Sequence, residues 1–184
     1  MIQKYILFTI SQVINQLFFK MIRKTNDFQI FPSKITIFAL HFHKINKKMA
    51  ILTVETTVKA NVKKVWDCWT HPKHIKNWYF ASDDWYVPYA DNNVCVKGLF
   101  KTTMSSKDKT MSFDLEGVYT EVQKNESIHF TLEDGRNVIV LFLENGDTTT
   151  VTESFESENQ NPLAMQKQGW QAILNNFKKY IETQ

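Results

Sequence analysis

The chain has 184 residues, 43% apolar and 22% charged, which is enough for one substantial core and too few for two ordinary domains. Its net charge of +3 is unevenly placed: residues 1–48 carry eight Lys and Arg against the single acid Asp27, a balance of +7, leaving 14 basic and 18 acidic residues, or −4, from Met49 onward. A mildly acidic globular part argues against a nucleic-acid groove, and the two cysteines, Cys68 and Cys95, lack paired spacing and read as free thiols of a reducing, cytoplasmic compartment.

Residues 1–48 contain an apolar run from Tyr5 to Phe19, interrupted by Gln12, Asn15 and Gln16 and too short to span a bilayer. No stable membrane insertion is expected, although a basic, aromatic segment of this kind can lie on an anionic membrane surface. The segment reads as a poorly ordered leader or as an extension from initiation upstream of Met49, because strand alternation begins directly after that residue. The expected domain is 49–184.

Ile51 to Val58 alternates and is rich in β-branched residues, which predicts a first strand. Asn61 is placed to cap a helix in which Val62, Val65, Trp66 and Trp69 recur at helical spacing. Pro72 opens a second short helix, with Ile75 and Trp78 on one face. Ala81 to Asn93 shows no period and is expected to be a loop. Period-2 segments follow at Val94 to Met104, Met111 to Val122, Ile128 to Leu132, Val138 to Leu143 and Thr148 to Phe155, with hairpin signals at Asp134-Gly135 and Asn145-Gly146. From Pro162 the period becomes 3.6: Leu163, Gln166, Trp170, Ile173, Leu174, Phe177 and Ile181 form one stripe, with Lys178, Lys179 and Glu182 on the other side. The order β-α-α, meander, long helix demands a two-layer α+β domain in which the last helix covers the apolar face of the sheet.

The segments NWYFASDDW, Gly98 with Phe100, MSFDLEGVY, DGR, ESFE and GWQAILNNFKKYIE together resemble the START-like helix-grip superfamily, in particular its branch similar to the C-terminal domain of the activator of Hsp90 ATPase. The resemblance covers Met49 to Gln184. It implies a curved antiparallel sheet of about six strands wrapped around the C-terminal helix, with two short helices closing one end. It also implies an internal cavity of the kind that takes lipids, polyketides or other apolar molecules in related proteins, and a chaperone as a conceivable protein partner.

Four of the five tryptophans, Trp66, Trp69, Trp78 and Trp85, fall within twenty residues. Trp66 and Trp69 are assigned to packing of the first helix. Trp78, Phe80 and Trp85 straddle the junction of second helix and loop, where they form either a gate over the cavity or a plug at the end of the sheet. Trp170, Leu174 and Phe177 on the long helix and Phe100, Met104, Phe113 and Leu115 on the strands are the expected walls, with Trp170 and Phe113 nearest the ligand.

The polar candidates are Asp114, Glu116, Glu153, Arg136, His129 and Tyr119. Alternation puts Asp114 and Glu116 opposite to Phe113 and Leu115, hence in solvent if the aromatic face is inward. A register reversed by a bulge would make them a general acid and base, and a buried carboxylate would need Arg136 or a hydroxyl as partner. His71 and His74 lack a third ligand at metal-binding spacing, Asp83 and Asp84 lack a calcium-loop pattern, and no glycine-rich phosphate loop occurs, so neither metal nor cofactor is expected.

Three readings result. The first is binding of a small hydrophobic ligand, with burial as the driving force. The second is a cyclase, dehydratase or hydrolase using the same cavity, with Asp114, Glu153 or Tyr119 moving protons. The third is an interaction module resembling the Hsp90 activator. An inward carboxylate or tyrosine favours chemistry, an apolar lining favours carriage, and a cavity too small for a ligand favours the third.

Overall fold

The computed structural model describes residues 49–184, and the expectations for residues 1–48 lie outside the described residues. In chain order the elements are β1 (Ile51–Val58), α1 (Val62–Thr70), α2 (Pro72–Ile75), β2 (Trp85–Asn92), β3 (Leu99–Ser106), β4 (Ser112–Gln123), β5 (Ser127–Leu132), β6 (Asn137–Asn145), β7 (Thr148–Glu156) and α3 (Leu163–Glu182). The strands form one curved antiparallel sheet in the order β1-β7-β6-β5-β4-β3-β2, and α3 lies in its grip.

Seven strands replace the expected six because Trp85–Asn92 is a strand and not a loop. Two features hide its period: Pro88, which an edge strand tolerates, and a register shift between Tyr86 and Tyr89. The expected strand from Val94 begins instead at Leu99. Residues before it turn tightly, and a Cβ on Gly98 would stand 2.0 Å from the Asn93 carbonyl oxygen.

Local chemistry sets the helix starts. The Asn61 side chain accepts from the Lys64 amide at 3.0 Å, capping α1, and Pro72 opens α2. α1 buries Val62, Val65, Trp66, Cys68 and Trp69. Trp66 packs edge-on against Phe142 of β6, and Trp69 contacts Phe142, Trp78 and Phe177 at centroid distances of 5.0 to 5.6 Å.

The polar side of α3 has a task that its sequence pattern does not announce. β1 is an edge strand, and its outward backbone groups need partners. Gln171 Nε2 donates to the Glu55 carbonyl at 3.0 Å, Lys178 Nζ to the Thr57 carbonyl at 2.9 Å, and the Lys59 amide donates to Glu182 at 3.1 Å. The helix therefore seals the edge as well as filling the grip. Gln166, expected in the apolar stripe, is buried there, and its amide donates to the Glu158 and Asn161 carbonyls.

Candidate functional site

The inner face of the sheet does not pack completely against the helical layer. A cavity of about 40 Å³ remains, room for about three waters. Trp69 of α1, Ile75 of α2, and Trp78 and Tyr79 just beyond it form one side. Asn92, Phe100, Thr102, Leu115, Tyr119 and Phe130 come from β2 to β5, and Glu153 from β7.

The strand side is shaped by a missing side chain. Gly117 pairs with Phe100 across β3 and β4, and a Cβ there would come within 2.6 Å of the Phe100 ring and 2.7 Å of the Thr131 carbonyl oxygen. Glycine lets the ring lie flat over the strand. Phe100 then meets Phe130 edge-on at 5.0 Å and Tyr119 at 5.3 Å. A register shift follows Tyr119. Its hydroxyl donates to Asn92 Oδ1 at 2.5 Å, while Asn92 Nδ2 donates to the Thr70 carbonyl at 2.6 Å, tying β4 through β2 to the end of α1.

Glu153 is the exceptional member. It sits in the inward row Thr149, Val151, Glu153, Phe155 of β7, opposite Val54 of β1 and Val140 of β6, and is 3% exposed. No side-chain hydrogen bond among the described residues involves its carboxyl, and no fully enclosed polar atom there is left unpaired, so the carboxyl oxygens open onto the cavity. Burial pushes its pKa up to about 8, so it is protonated at neutral pH. Tyr79 stands beside it, its phenol held well above the ordinary range by burial and then by Glu153. Burial likewise raises Tyr119. Arg136 supplies no countercharge, because its Nε donates to Asp134 at 2.8 Å and closes the β5–β6 hairpin.

Asp114 and Glu116 point the other way, as alternation requires. Lys101 Nζ donates to both at 2.6 Å, and Thr103 Oγ1 donates to Asp114 at 2.6 Å. Partial burial works against the Asp114 carboxylate, but these bonds outweigh it and its pKa falls. A catalytic pair of Asp114 and Glu116 in the cavity is thus ruled out by register. His129 faces Glu121 at 3.4 Å outside the cavity. His74 is held between Tyr180 at 2.6 Å and Asp67 at 3.3 Å, and Ser82 donates to Asp84.

Of the expected walls, Trp78, Phe100 and Leu115 line the cavity, as do the proton-transfer candidates Glu153 and Tyr119. Trp78 is fully buried, and its indole N–H donates to the Cys68 carbonyl at 3.0 Å, the surroundings of a packed core residue. Phe177 and Leu174 lie behind the wall, Phe177 meeting the Trp78 ring at 4.7 Å. Trp85 and Phe113 pack on each other at 5.5 Å, with Met104 paired across from Phe113, away from the cavity. Trp170 stacks flat on Phe155 at 4.1 Å rather than facing Trp78 across the hollow. The partly buried Phe80 is fixed through its carbonyl, which accepts from Asn176.

Sequence reading missed Tyr79, Asn92, Thr102, Phe130 and the cavity roles of Trp69 and Ile75. Asn92 was hidden by the broken period of β2. The position of Glu153 did carry a signal, a carboxylate in an inward row between Val151 and Phe155.

Comparison with known proteins agrees with this geometry. A protein from Aeromonas hydrophila, described as AHSA1-like and solved by NMR, is 34% identical, covering 73% of this chain and 93% of that one at a TM-score of 0.70. A Cytophaga hutchinsonii protein, also solved in solution, is 50% identical over 71% of this chain and 91% of its own, with a TM-score of 0.63. A Nitrosomonas europaea protein, 14% identical, covers 76% of this chain and 97% of its own at a TM-score of 0.63 and shares the fold. No curated protein matches. No helix among the described residues is long and apolar enough to cross a membrane. Residues 59–182 match the family described as Activator of Hsp90 ATPase homolog 1-like protein, and with the helix-grip sheet, the Aeromonas and the Cytophaga likenesses this chain belongs to that family.

Proposed function

We propose that the protein binds a small hydrophobic molecule carrying one polar group, in the cavity between the α1–α2 segment and the sheet. The observation that carries this reading is Glu153. Its carboxyl makes no hydrogen bond to the protein and opens onto an otherwise mostly apolar hollow, where the polar group of a ligand can supply one. The rings around it provide apolar contact, with about 25 cal/mol gained per Å² buried. The volume of about 40 Å³ sets the scale: the enclosed part of the ligand has a few non-hydrogen atoms, each contributing about 1.5 kcal/mol at best. A lipid- or polyketide-sized ligand exceeds this volume.

Proton transfer in the same cavity is the second reading, favoured by a carboxyl whose pKa of about 8 suits a general acid or base near neutral pH. Its partner would be Tyr119 or Tyr79, since Asp114 lies on the opposite face. The small volume of about 40 Å³ favours the chaperone-facing role that the family description suggests, but that role gives the inward carboxyl of Glu153 no purpose.

The test is an NMR titration with small aliphatic and aromatic fragments, following the five indole N–H signals. Ligand binding moves Trp69 and Trp78, which line the cavity, and spares Trp66 and Trp170, which do not. Equal response of all indoles, or none, overturns the reading. New compound signals that Glu153→Gln abolishes would instead establish the second reading.

A further inference from the structure

The composition of the cavity wall says more about the polar group. Glu153 is buried, and the rings of Trp78, Tyr79, Phe100, Tyr119 and Phe130 share the hollow with it. Trp78 and Tyr79 lie 5.1 Å apart, and Phe100, Tyr119 and Phe130 form a second cluster at 5.0 to 6.2 Å. Aromatic faces attract cations within about 6 Å, and more strongly where water is excluded. Among the described residues the one acid in the wall has no basic neighbour: no Lys, Arg or His of that set lines the cavity, Arg136 is engaged by Asp134, and Lys101 is on the outer face with Asp114 and Glu116. An acid and a set of aromatic rings are thus present together in the wall, and no described residue of the lining supplies a cation that would complement both.

From this juxtaposition we propose that the cavity takes the ammonium group of a small alkylamine, with the Glu153 carboxylate as counter-ion and the surrounding rings as its cage. This rests on the ligand-binding reading above and names its chemical class. A neutral hydroxyl or carbonyl compound would satisfy the Glu153 proton but would leave the ring faces with apolar contact alone.

The proton balance is explicit. The amine arrives as R–NH3⁺, the Glu153 carboxylic acid gives its O–H proton to solvent, and the ion pair R–NH3⁺ with carboxylate forms, so one proton is released for each amine bound. The titratable groups that face the carboxyl are the phenols Tyr79, beyond α2, and Tyr119, of β4; β1 and β6 present Val54 and Val140 beside it, and Asn92 and Thr102 are neutral. Both phenols stay protonated across the neutral range, since burial raises them. Amine affinity therefore rises about tenfold per pH unit up to about pH 8 and then levels until the amine itself loses its proton.

The experiment compares propylamine and isobutylamine with propanol and isobutanol on the full chain, by NMR of the Trp69 and Trp78 indoles and by calorimetry in two buffers of different ionisation enthalpy. At pH 8 the amines should bind at least tenfold more tightly than the alcohols, and at pH 6 their binding should release close to one proton. Glu153→Gln should erase the amine preference while alcohols still bind. Equal affinity of amine and alcohol, or amine binding without proton release, overturns the amine assignment and leaves ligand binding standing. Failure of both series to move either indole overturns the amine assignment and the ligand-binding reading together. The proton-release measurement uses the unaltered protein, so the test does not depend on folding of the variant.

Discussion

Asp114 and Glu153 are the same functional group on two faces of one sheet, and their surroundings give them opposite properties. Asp114, partly exposed on β4, accepts from Lys101 and Thr103 and stays ionised. Glu153, buried on β7 without a partner, has its pKa raised to about 8 and stays neutral. Charge on the outer face is cheap because water and a lysine both stabilise it; charge on the inner face must await something that enters the cavity. The outer carboxylate is structural decoration of the sheet, whereas the inner one is a stored electrostatic demand.

The largest expected effect follows from that demand. A carboxyl whose folded pKa lies above its unfolded value binds more protons in the folded state, so stability falls as pH rises. No loss occurs below about pH 4.5; it accumulates at about 1.4 kcal/mol per unit and is complete above about pH 8, on the order of 4 to 5 kcal/mol in all. Glu153→Gln should abolish this slope, read by urea unfolding at pH 5 and pH 9. A slope unchanged by the substitution would mean that Glu153 is ionised in the folded protein, and the contrast with Asp114 would collapse.

Next in size is Gly117→Ala. Its Cβ meets the Phe100 ring and the Thr131 carbonyl, displacing a cavity wall at a cost of about 1 to 3 kcal/mol. Thermal unfolding measures the loss, and shifted Trp69 and Trp78 indole resonances would show that the inner wall has moved. Tyr119→Phe removes the hydroxyl bond to Asn92 and should cost about 1 kcal/mol in denaturant unfolding, with Asn92 left to the Thr70 carbonyl. The smallest effect belongs to Asp114→Asn. A solvent-screened ion pair contributes below about 1 kcal/mol, present above about pH 4 and lost as pH falls further, since the folded pKa is depressed. A loss of several kcal/mol there would erase the distinction between the two faces.

Much of the contrast was legible in residue order. Phe113, Leu115 and Tyr119 alternate with Asp114, Glu116 and Thr120, and period 2 alone places the two acids outside once the apolar face is inside. The same rule places Glu153 inside, between Val151 and Phe155. Alternation could not show that Arg136, the countercharge expected for a buried carboxylate, closes its own hairpin with Asp134 instead. Nor could it find Tyr79 and Asn92 in the wall, because one follows a four-residue helix and the other ends a strand broken by Pro88 and a bulge.

By itself the sequence determined the two-layer α+β architecture, the stripe on α3 and the alternation that sets Asp114 and Glu116 opposite to Phe113 and Leu115, because these depend on local periodicities of 2 and 3.6. Only the tertiary structure decided which inward aromatics enclose a cavity and which pack solidly. Trp170 is neutralised by stacking on Phe155, Trp85 by Phe113, and Phe177 by its contact with Trp78, whereas the rings near Gly117 are left with a gap and an acid. The physical reason is that a void is a failure of several distant segments to fill one volume, a property of their joint packing that no single segment carries.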